Sequence, residues 1–139
     1  MSYRPKFNVG EAHYMIVVTI RARPGHGMDF TEARKIVLAA HERAKLEEHY
    51  YVYEASSGTP GPTYYVFVPL KSLKELDADI HGKAYQDTVG EENQKKLAKI
   101  AADDYLSIES GLYAFNPSMS YVGKDWAAGD PDFWWPKKK

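Results

Sequence analysis

Hydrophobic residues in the first third of the chain follow two different periods. Residues 13–23 are rich in β-branched side chains, which is typical of a strand, and the Arg23-Pro24-Gly25 turn ends this run. Asp29 and Glu32 then have the spacing of a capping box, which predicts a helix with its N-cap at Asp29. Apolar residues recur after Asp29 at steps of three and four and form one helical stripe: Phe30, Ala33, Val37, Ala40 and Ala44.

The rest of the chain predicts three more strands and a divided helical section. Residues 49–56 and 63–69 are aromatic and β-branched, and the Gly- and Pro-rich residues 57–62 between them predict a hairpin loop. Two further capping boxes follow, Ser72 with Glu75 and Thr88 with Glu91. The first opens a predicted helix bearing Leu73, Leu76, Ile80 and Ala84, and the second a longer one bearing Leu97, Ile100, Ala101 and Tyr105. Residues 111–116 form the predicted last strand, which Pro117 stops.

This element order is β-α-β-β-α-β, with the second helical section broken in two. It predicts the α+β, ferredoxin-like fold, in which helices cover one face of a four-stranded antiparallel sheet. We expect the domain to span residues 13–122, with an N-terminal arm at 1–12 and an aromatic tail at 123–139. The tail aromatics are expected to pack back on the domain or across a dimer, and the three terminal lysines to fray.

The predicted strands are apolar on both faces, which a monomer with helices on one face does not explain. Alternate residues of the second strand, Tyr51 and Tyr53 against Tyr50 and Val52, are all apolar or aromatic. The third strand repeats this pattern, with Tyr64, Val66 and Val68 opposite Tyr65 and Phe67. Because helices can cover only one face, we expect a homodimer in which the free sheet face packs against a second copy.

Composition and charge exclude several function classes. The chain has 139 residues, 44% of them hydrophobic and 27% charged, which is the profile of one globular domain. Eighteen basic and nineteen acidic residues give a net charge of -1, which argues against nucleic-acid binding. The absence of cysteine excludes disulfides and thiolate chemistry. No apolar run is long enough to predict a membrane span, and the polar start of the chain leaves the compartment unknown.

Familiar catalytic and metal-binding motifs break off at single residues. Gly25 and Gly27 begin a glycine-rich loop, but Phe30 stands where its third glycine would be. His41-Glu42 begins a zinc-protease signature, but Lys45 replaces the second histidine. The five histidines never stand three or four residues apart, so the sequence predicts no metal site and no cofactor. Adjacent acids such as Glu47-Glu48 are expected to lie on solvated helix faces.

The Arg23-Pro24-Gly25 turn, the helix from Asp29, the two aromatic strands and the long broken helix together resemble the dimeric α/β-barrel superfamily. That group includes antibiotic-biosynthesis-type monooxygenases, stress-responsive barrel proteins and NIPSNAP-like proteins. Its members range from cofactor-free oxygenases and haem enzymes to proteins without a known activity. The resemblance implies a substrate cleft between helices and sheet, where His41 or His81 would serve as base or haem-facing group.

The eleven tyrosines are the other candidate binding groups. Tyr51, Tyr53 and Tyr65 are predicted to project their hydroxyls into the cleft and bind a small hydrophobic or aromatic ligand, or else to line the dimer interface. Two functions remain open from the sequence. One is a small-ligand-binding or stress-related protein without a catalytic constellation. The alternative is a cofactor-independent monooxygenase or a haem- or quinone-handling enzyme that uses the cleft.

Overall fold

The computed structural model describes residues 1–136 and confirms the ferredoxin-like α+β fold. Four strands form one antiparallel sheet in the order β2-β3-β1-β4: β1 (Tyr14–Ala22), β2 (Tyr51–Glu54), β3 (Thr63–Leu70) and β4 (Tyr105–Ala114). The helices are α1 (Gly27–Ala44), α2 (Lys83–Val89), α3 (Glu91–Asp103), α4 (Lys124–Ala127) and α5 (Pro131–Trp134). Helices α1, α2 and α3 pack against one another on one side of the sheet.

Helix α1 starts earlier than the capping box predicts. Its N-cap is His26, and Asp29 lies within the first turn, so the prediction of Asp29 as N-cap is wrong. The carboxylate of Asp29 instead lies 2.9 Å from Nδ1 of the His26 ring. A negative charge in this turn still suits the positive end of the helix dipole.

The second helical section differs most from the prediction. Ser72 and Glu75 do form a capping box, but they open only a 3₁₀ turn at Leu73–Asp77, in which Leu73 and Leu76 stay exposed. Thr88 lies inside α2, and Gly90, at a φ of +83°, ends α2 and begins α3.

The last strand is longer than predicted. Tyr105, which the helical pattern assigned to the preceding helix, begins β4 and pairs with Ala22 of β1. The pairing of β4 with β1 continues through this end, past a bulge at Arg21, and overrides the helical pattern there.

Alternate side chains of β2 and β3 lie on opposite faces of the sheet, as the sequence predicts. Tyr64 and Val66 face the helices, where the Phe30 ring stacks on Tyr64 with centroids 3.6 Å apart. Tyr65 and Phe67 lie on the opposite side, which we call the outer sheet face, and Phe67 contacts Tyr53 there. The hydrophobic core therefore lies between α1 and the inner sheet face.

Both chain ends pack back onto the domain. Tyr3 of the arm forms a backbone bridge with Tyr50. In the tail, Trp134 is 3% exposed, and its indole nitrogen donates a hydrogen bond to the Gly10 carbonyl at 2.6 Å. Phe133 stacks on His13 at 3.9 Å between ring centroids. The terminal lysines at 137–139 lie outside the described residues.

No helix within residues 1–136 has both the length and the apolar character that crossing a lipid bilayer requires.

Candidate functional site

A cavity of about 240 Å³ opens between α1, α2 and the inner sheet face. We call this cavity the helix–sheet cleft. Its floor is formed by the β3 valines and its walls by ionisable and aromatic side chains. The lining residues are Arg34, Val37, His41, Glu48, Tyr50, Val66, Val68, His81 and Tyr85.

His41 is held rigidly in the last turn of α1. Its side chain is only 3% exposed, and its Nδ1 lies 2.9 Å from the Val37 carbonyl oxygen. Because a carbonyl oxygen can only accept, Nδ1 carries the hydrogen of this bond. The other ring nitrogen, Nε2, lies 2.7 Å from Oε2 of Glu48. The backbone contact therefore fixes the ring with Nε2 directed at the carboxylate.

Glu48 joins the two candidate histidines. The same Oε2 atom lies 3.2 Å from Nε2 of His81, which precedes α2 and is about half exposed. Burial opposes ionisation of Glu48, but hydrogen bonds from both histidines lower its pKa to about 2. The hydrogen bond to Glu48 in turn raises the pKa of His81. One ionised carboxylate thus lies between two imidazoles.

Arg34 and Tyr50 carry buried polar atoms that no described residue satisfies. Neither Nε of Arg34 nor the Tyr50 hydroxyl has a hydrogen-bond partner within residues 1–136, although both atoms are buried. The Arg34 guanidinium lies over the Tyr50 ring, 4.7 Å from its centroid. Burial raises the pKa of Tyr50, which keeps its hydroxyl protonated as a donor. Buried polar groups are normally paired with protein, water or a ligand, so both atoms are available to a partner in the cleft.

Tyr85 adds a third aromatic wall. Its hydroxyl oxygen lies 3.2 Å from Nδ1 of His41, and burial raises its pKa to about 12. The His41 ring also contacts the rings of Tyr3 and Tyr50 edge-on, at 5.2 and 5.1 Å between centroids. Aromatic packing thus keeps the imidazole in one orientation.

A second, mostly apolar cavity of about 170 Å³ adjoins the cleft. The two share Glu48 and Val68 in their walls. The apolar cavity extends from Val68 toward Ile16, Leu76 and Ile80. The two cavities thus lie on either side of the shared residues, one lined by charged and aromatic groups and the other mostly by apolar groups.

The structure brings together two of the predicted site residues and separates the other three from them. His41 and His81 meet in the helix–sheet cleft, with ring centroids 5.5 Å apart. Tyr51, Tyr53 and Tyr65 lie on the outer sheet face instead, where the Tyr51 hydroxyl donates to the Phe7 carbonyl at 2.9 Å. Their role in ligand binding stays a prediction, and it concerns that face rather than the cleft.

Sequence reasoning missed Glu48, Arg34, Tyr50 and Tyr85. The expectation that Glu48 lies on a solvated helix face is wrong, because Lys45 adopts a left-handed conformation with a φ of +51° and ends α1. Glu48 then lies in the connection to β2 with its side chain 13% exposed, whereas that of Glu47 is 91% exposed. The alternation at residues 50–53 was the available signal, because it places Tyr50 on the side opposite to Tyr51 and Tyr53. Tyr50 directly precedes β2 and lines the cleft.

A second group of ionisable residues lies at the N-terminal end of α1. His26 Nδ1 lies 2.9 Å from Asp29 and 3.1 Å from Asp104. The side chains of His26 and Asp29 are about 40% exposed, and the group has one imidazole for two carboxylates. It ties the start of α1 to the end of α3.

Comparisons with known proteins identify the fold. No protein family matches the sequence, and no curated protein matches it either. An uncharacterised NIPSNAP-like domain protein from Burkholderia xenovorans has a similar structure, with a TM-score of 0.50 and 13% identity. This likeness covers 80% of this chain and 91% of that one.

Two further solved structures are similar over a comparable length. A Pseudomonas aeruginosa protein is 15% identical with a TM-score of 0.49, over 76% of this chain and 95% of that one. A Deinococcus radiodurans protein, provisionally assigned as an antibiotic biosynthesis monooxygenase, is 10% identical with a TM-score of 0.49, over 79% and 99%. The likeness to the Burkholderia xenovorans protein, at 13% identity, concerns the fold alone, and function has to be argued from the site.

Proposed function

We propose that this chain is a small-ligand-binding protein, and that its ligand is a small organic anion held in the helix–sheet cleft. The observation that carries the proposal is the pair of buried, unpartnered atoms at Arg34 Nε and Tyr50 Oη. An anionic oxygen would accept a hydrogen bond from each. Leaving such groups unpaired is costly, which favours a ligand that pairs them.

The charges around the cleft fit an anion with an apolar body. Arg34 is a fixed positive charge, and Tyr50 and Tyr85 are neutral donors because burial raises their pKa values. The Glu48 carboxylate is engaged by the two histidines that flank it. The adjoining apolar cavity would take the hydrocarbon part of the ligand. An aromatic carboxylate or phenolate has this combination of groups.

Calorimetric titration with sodium salicylate tests the proposal, since this probe carries a carboxylate on an aromatic ring. We expect binding to the wild-type chain and binding at least about 10-fold weaker in Tyr50→Phe and in Arg34→Gln, because each loses a charge-assisted hydrogen bond.

Matched controls exist on the outer sheet face. Tyr53 and Arg21 are both exposed, so Tyr53→Phe and Arg21→Gln should bind salicylate as the wild type does. Equal loss in the control pair and the cleft pair, or no effect of any of the four substitutions, contradicts the proposal.

We also propose that the chain acts as a homodimer through its outer sheet face. Met15, Val17, Tyr65 and Phe67 form a continuous apolar and aromatic row there, and Tyr53 at its edge is 56% exposed. A two-fold axis would cover this surface with an identical one, which needs no other partner.

A second candidate function is catalysis on the bound ligand as a cofactor-independent oxygenase or quinone-handling enzyme. The His41–Glu48 contact of 2.7 Å favours it, because a base needs a partner that orients it. A haem does not fit this cleft, because Nε2 of both histidines faces the Glu48 carboxylate rather than an open slot.

An oxygen electrode with 1,4-naphthohydroquinone as the probe tests this second function. We expect oxygen uptake above the protein-free rate and its loss in His41→Gln, with circular dichroism confirming the fold of the variant. Uptake no faster than without protein rejects catalysis on this probe and leaves salicylate binding as a separate result.

A further inference from the structure

Three potential metal ligands converge at one wall of the helix–sheet cleft. They are Nε2 of His41, Oε2 of Glu48 and Nε2 of His81, and these atoms all lie within 4.8 Å of one another. Each comes from a different segment: the end of α1, the connection to β2, and the residues before α2. Two imidazoles and one carboxylate are the protein ligands of many catalytic zinc sites and of non-haem iron sites.

The outer contacts of His41 are those expected of a metal ligand. Its Nδ1–H donates a hydrogen bond to the Val37 carbonyl at 2.9 Å, which leaves Nε2 as the ring nitrogen that can ligate a metal ion. Metal-binding histidines almost always donate their second nitrogen to a carbonyl or carboxylate in this way, because it fixes the ring and its tautomer. His41 is 3% exposed, so the orientation is set by the fold rather than by solvent.

The arrangement around Glu48 calls for a cation. With Nδ1 of His41 carrying its hydrogen, the lone pair of Nε2 faces a carboxylate oxygen at 2.7 Å. His81 presents its own Nε2 to the same oxygen at 3.2 Å. Lone pairs that face each other repel, so a proton or a metal ion has to lie between Nε2 of His41 and the Glu48 oxygen, whereas His81 can donate its own Nε2–H to that oxygen.

The distances allow a metal ion after a small adjustment. Metal bonds to nitrogen and oxygen of ~2.0–2.2 Å separate neighbouring ligand atoms by roughly 3.0–3.4 Å. The His81–Glu48 separation is already in this range, and the His41–Glu48 separation is a few tenths of an ångström short of it. Glu48 lies in the connection between α1 and β2, so a rotation of its side chain can move the carboxylate oxygen by that amount.

We propose that His41, Glu48 and His81 bind one divalent first-row transition metal ion, with its remaining coordination positions open to the helix–sheet cleft. A site with three protein ligands keeps at least one position for water or a ligand oxygen. Arg34 and Tyr50 lie on the walls of the same cavity, where a metal-bound anion would meet them. The metal site does not depend on the proposed anion binding and is tested without any organic ligand.

Titration of chelator-treated protein with Co²⁺ and with Zn²⁺ alone tests the proposal. We expect one ion per chain and a visible Co²⁺ absorption band as intense as that of a four- or five-coordinate ion. Added Zn²⁺ should remove this band by competing for the site. His81→Ala should weaken Zn²⁺ affinity at least ~100-fold, since loss of a mere outer-shell partner already costs 10–100-fold. Because His81 is half exposed, this variant should fold, which circular dichroism checks, and Glu48→Gln should lose the spectrum as well.

His26→Gln is the matched control, because His26 also contacts two acids but belongs to the group at the other end of α1. It should bind the metal as the wild type does. Three results would overturn the proposal: no stoichiometric binding by the wild type, a Co²⁺ spectrum unchanged in His81→Ala, or a spectrum lost only in His26→Gln.

Discussion

At the scale of single residues, Phe30 is the side chain on which the inner face of the sheet depends. It is fully buried and stacks face to face on Tyr64, with the ring planes only 7° apart. The ring of Tyr105 packs on it from β4, 6.3 Å away between centroids. One residue of α1 thus contacts both the central and the edge part of the sheet.

We expect Phe30→Ala to lower the free energy of unfolding by about 3–5 kcal/mol, because it removes a buried ring and leaves a cavity. Urea unfolding followed by circular dichroism measures this loss. Met28 lies two residues away and is 84% exposed, so Met28→Ala should change the free energy of unfolding by less than ~0.5 kcal/mol. Equal losses in the two variants would show that the stack does not stabilise the fold.

The sequence predicted Phe30 better than it predicted the site, for a physical reason. Helical spacing reveals which residues face a core, and Phe30 and Ala40 are buried as that spacing indicates. The His41–Glu48–His81 group is built by the end of one helix and by a loop before another, so no fixed spacing connects its members. The left-handed conformation of Lys45 reverses the chain and brings these residues together. The spacing of hydrophobic residues does not reveal the backbone conformation of a single residue.

At the scale of elements, the strands of the hairpin and α1 follow the hydrophobic pattern closely, whereas the C-terminal half does not. The capping box at Ser72 forms but opens only a 3₁₀ turn, and Tyr105 leaves its predicted helix to pair with β1. A local cap sets where a helix can start, but tertiary pairing decides how far it runs.

The docking of the C-terminal tail is sensitive to acid. The Asp130 carboxylate lies 2.8 Å from Nε2 of His13, and this hydrogen bond lowers the pKa of Asp130 below its ordinary value of 3.8. A lowered pKa in the folded state means that the contribution to stability is complete above 3.8. It is lost as the pH falls through the lowered value.

We therefore expect Asp130→Asn to be less stable than the wild type at neutral pH, with the difference shrinking as the solution is acidified. Urea unfolding at a series of acid pH values measures it. Asp132→Asn changes an exposed acid in the helix that Asp130 caps, and its free energy of unfolding should depend on pH as that of the wild type does. A constant gap between wild type and Asp130→Asn at all pH values would contradict the assignment.

At the scale of the whole molecule, the proposed homodimer predicts a concentration-dependent mass. Sedimentation equilibrium should give twice the chain mass for the wild type and a dissociation constant at least about 10-fold weaker for Tyr53→Glu, because a charge then lies in the apolar interface. Tyr121→Glu, at a fully exposed position off the sheet, is the control. A wild type that is monomeric at every concentration would contradict the proposed dimer through the outer sheet face.

Backbone amide NMR shifts during a salicylate titration distinguish binding on the helix side of the sheet, at the group around His41, from binding on the outer sheet face. We expect saturable shifts at Arg34, Tyr50 and Tyr85, with Tyr53 and Tyr65 unchanged. Shifts confined to Tyr53, Tyr65 and their neighbours on the outer face would contradict this expectation.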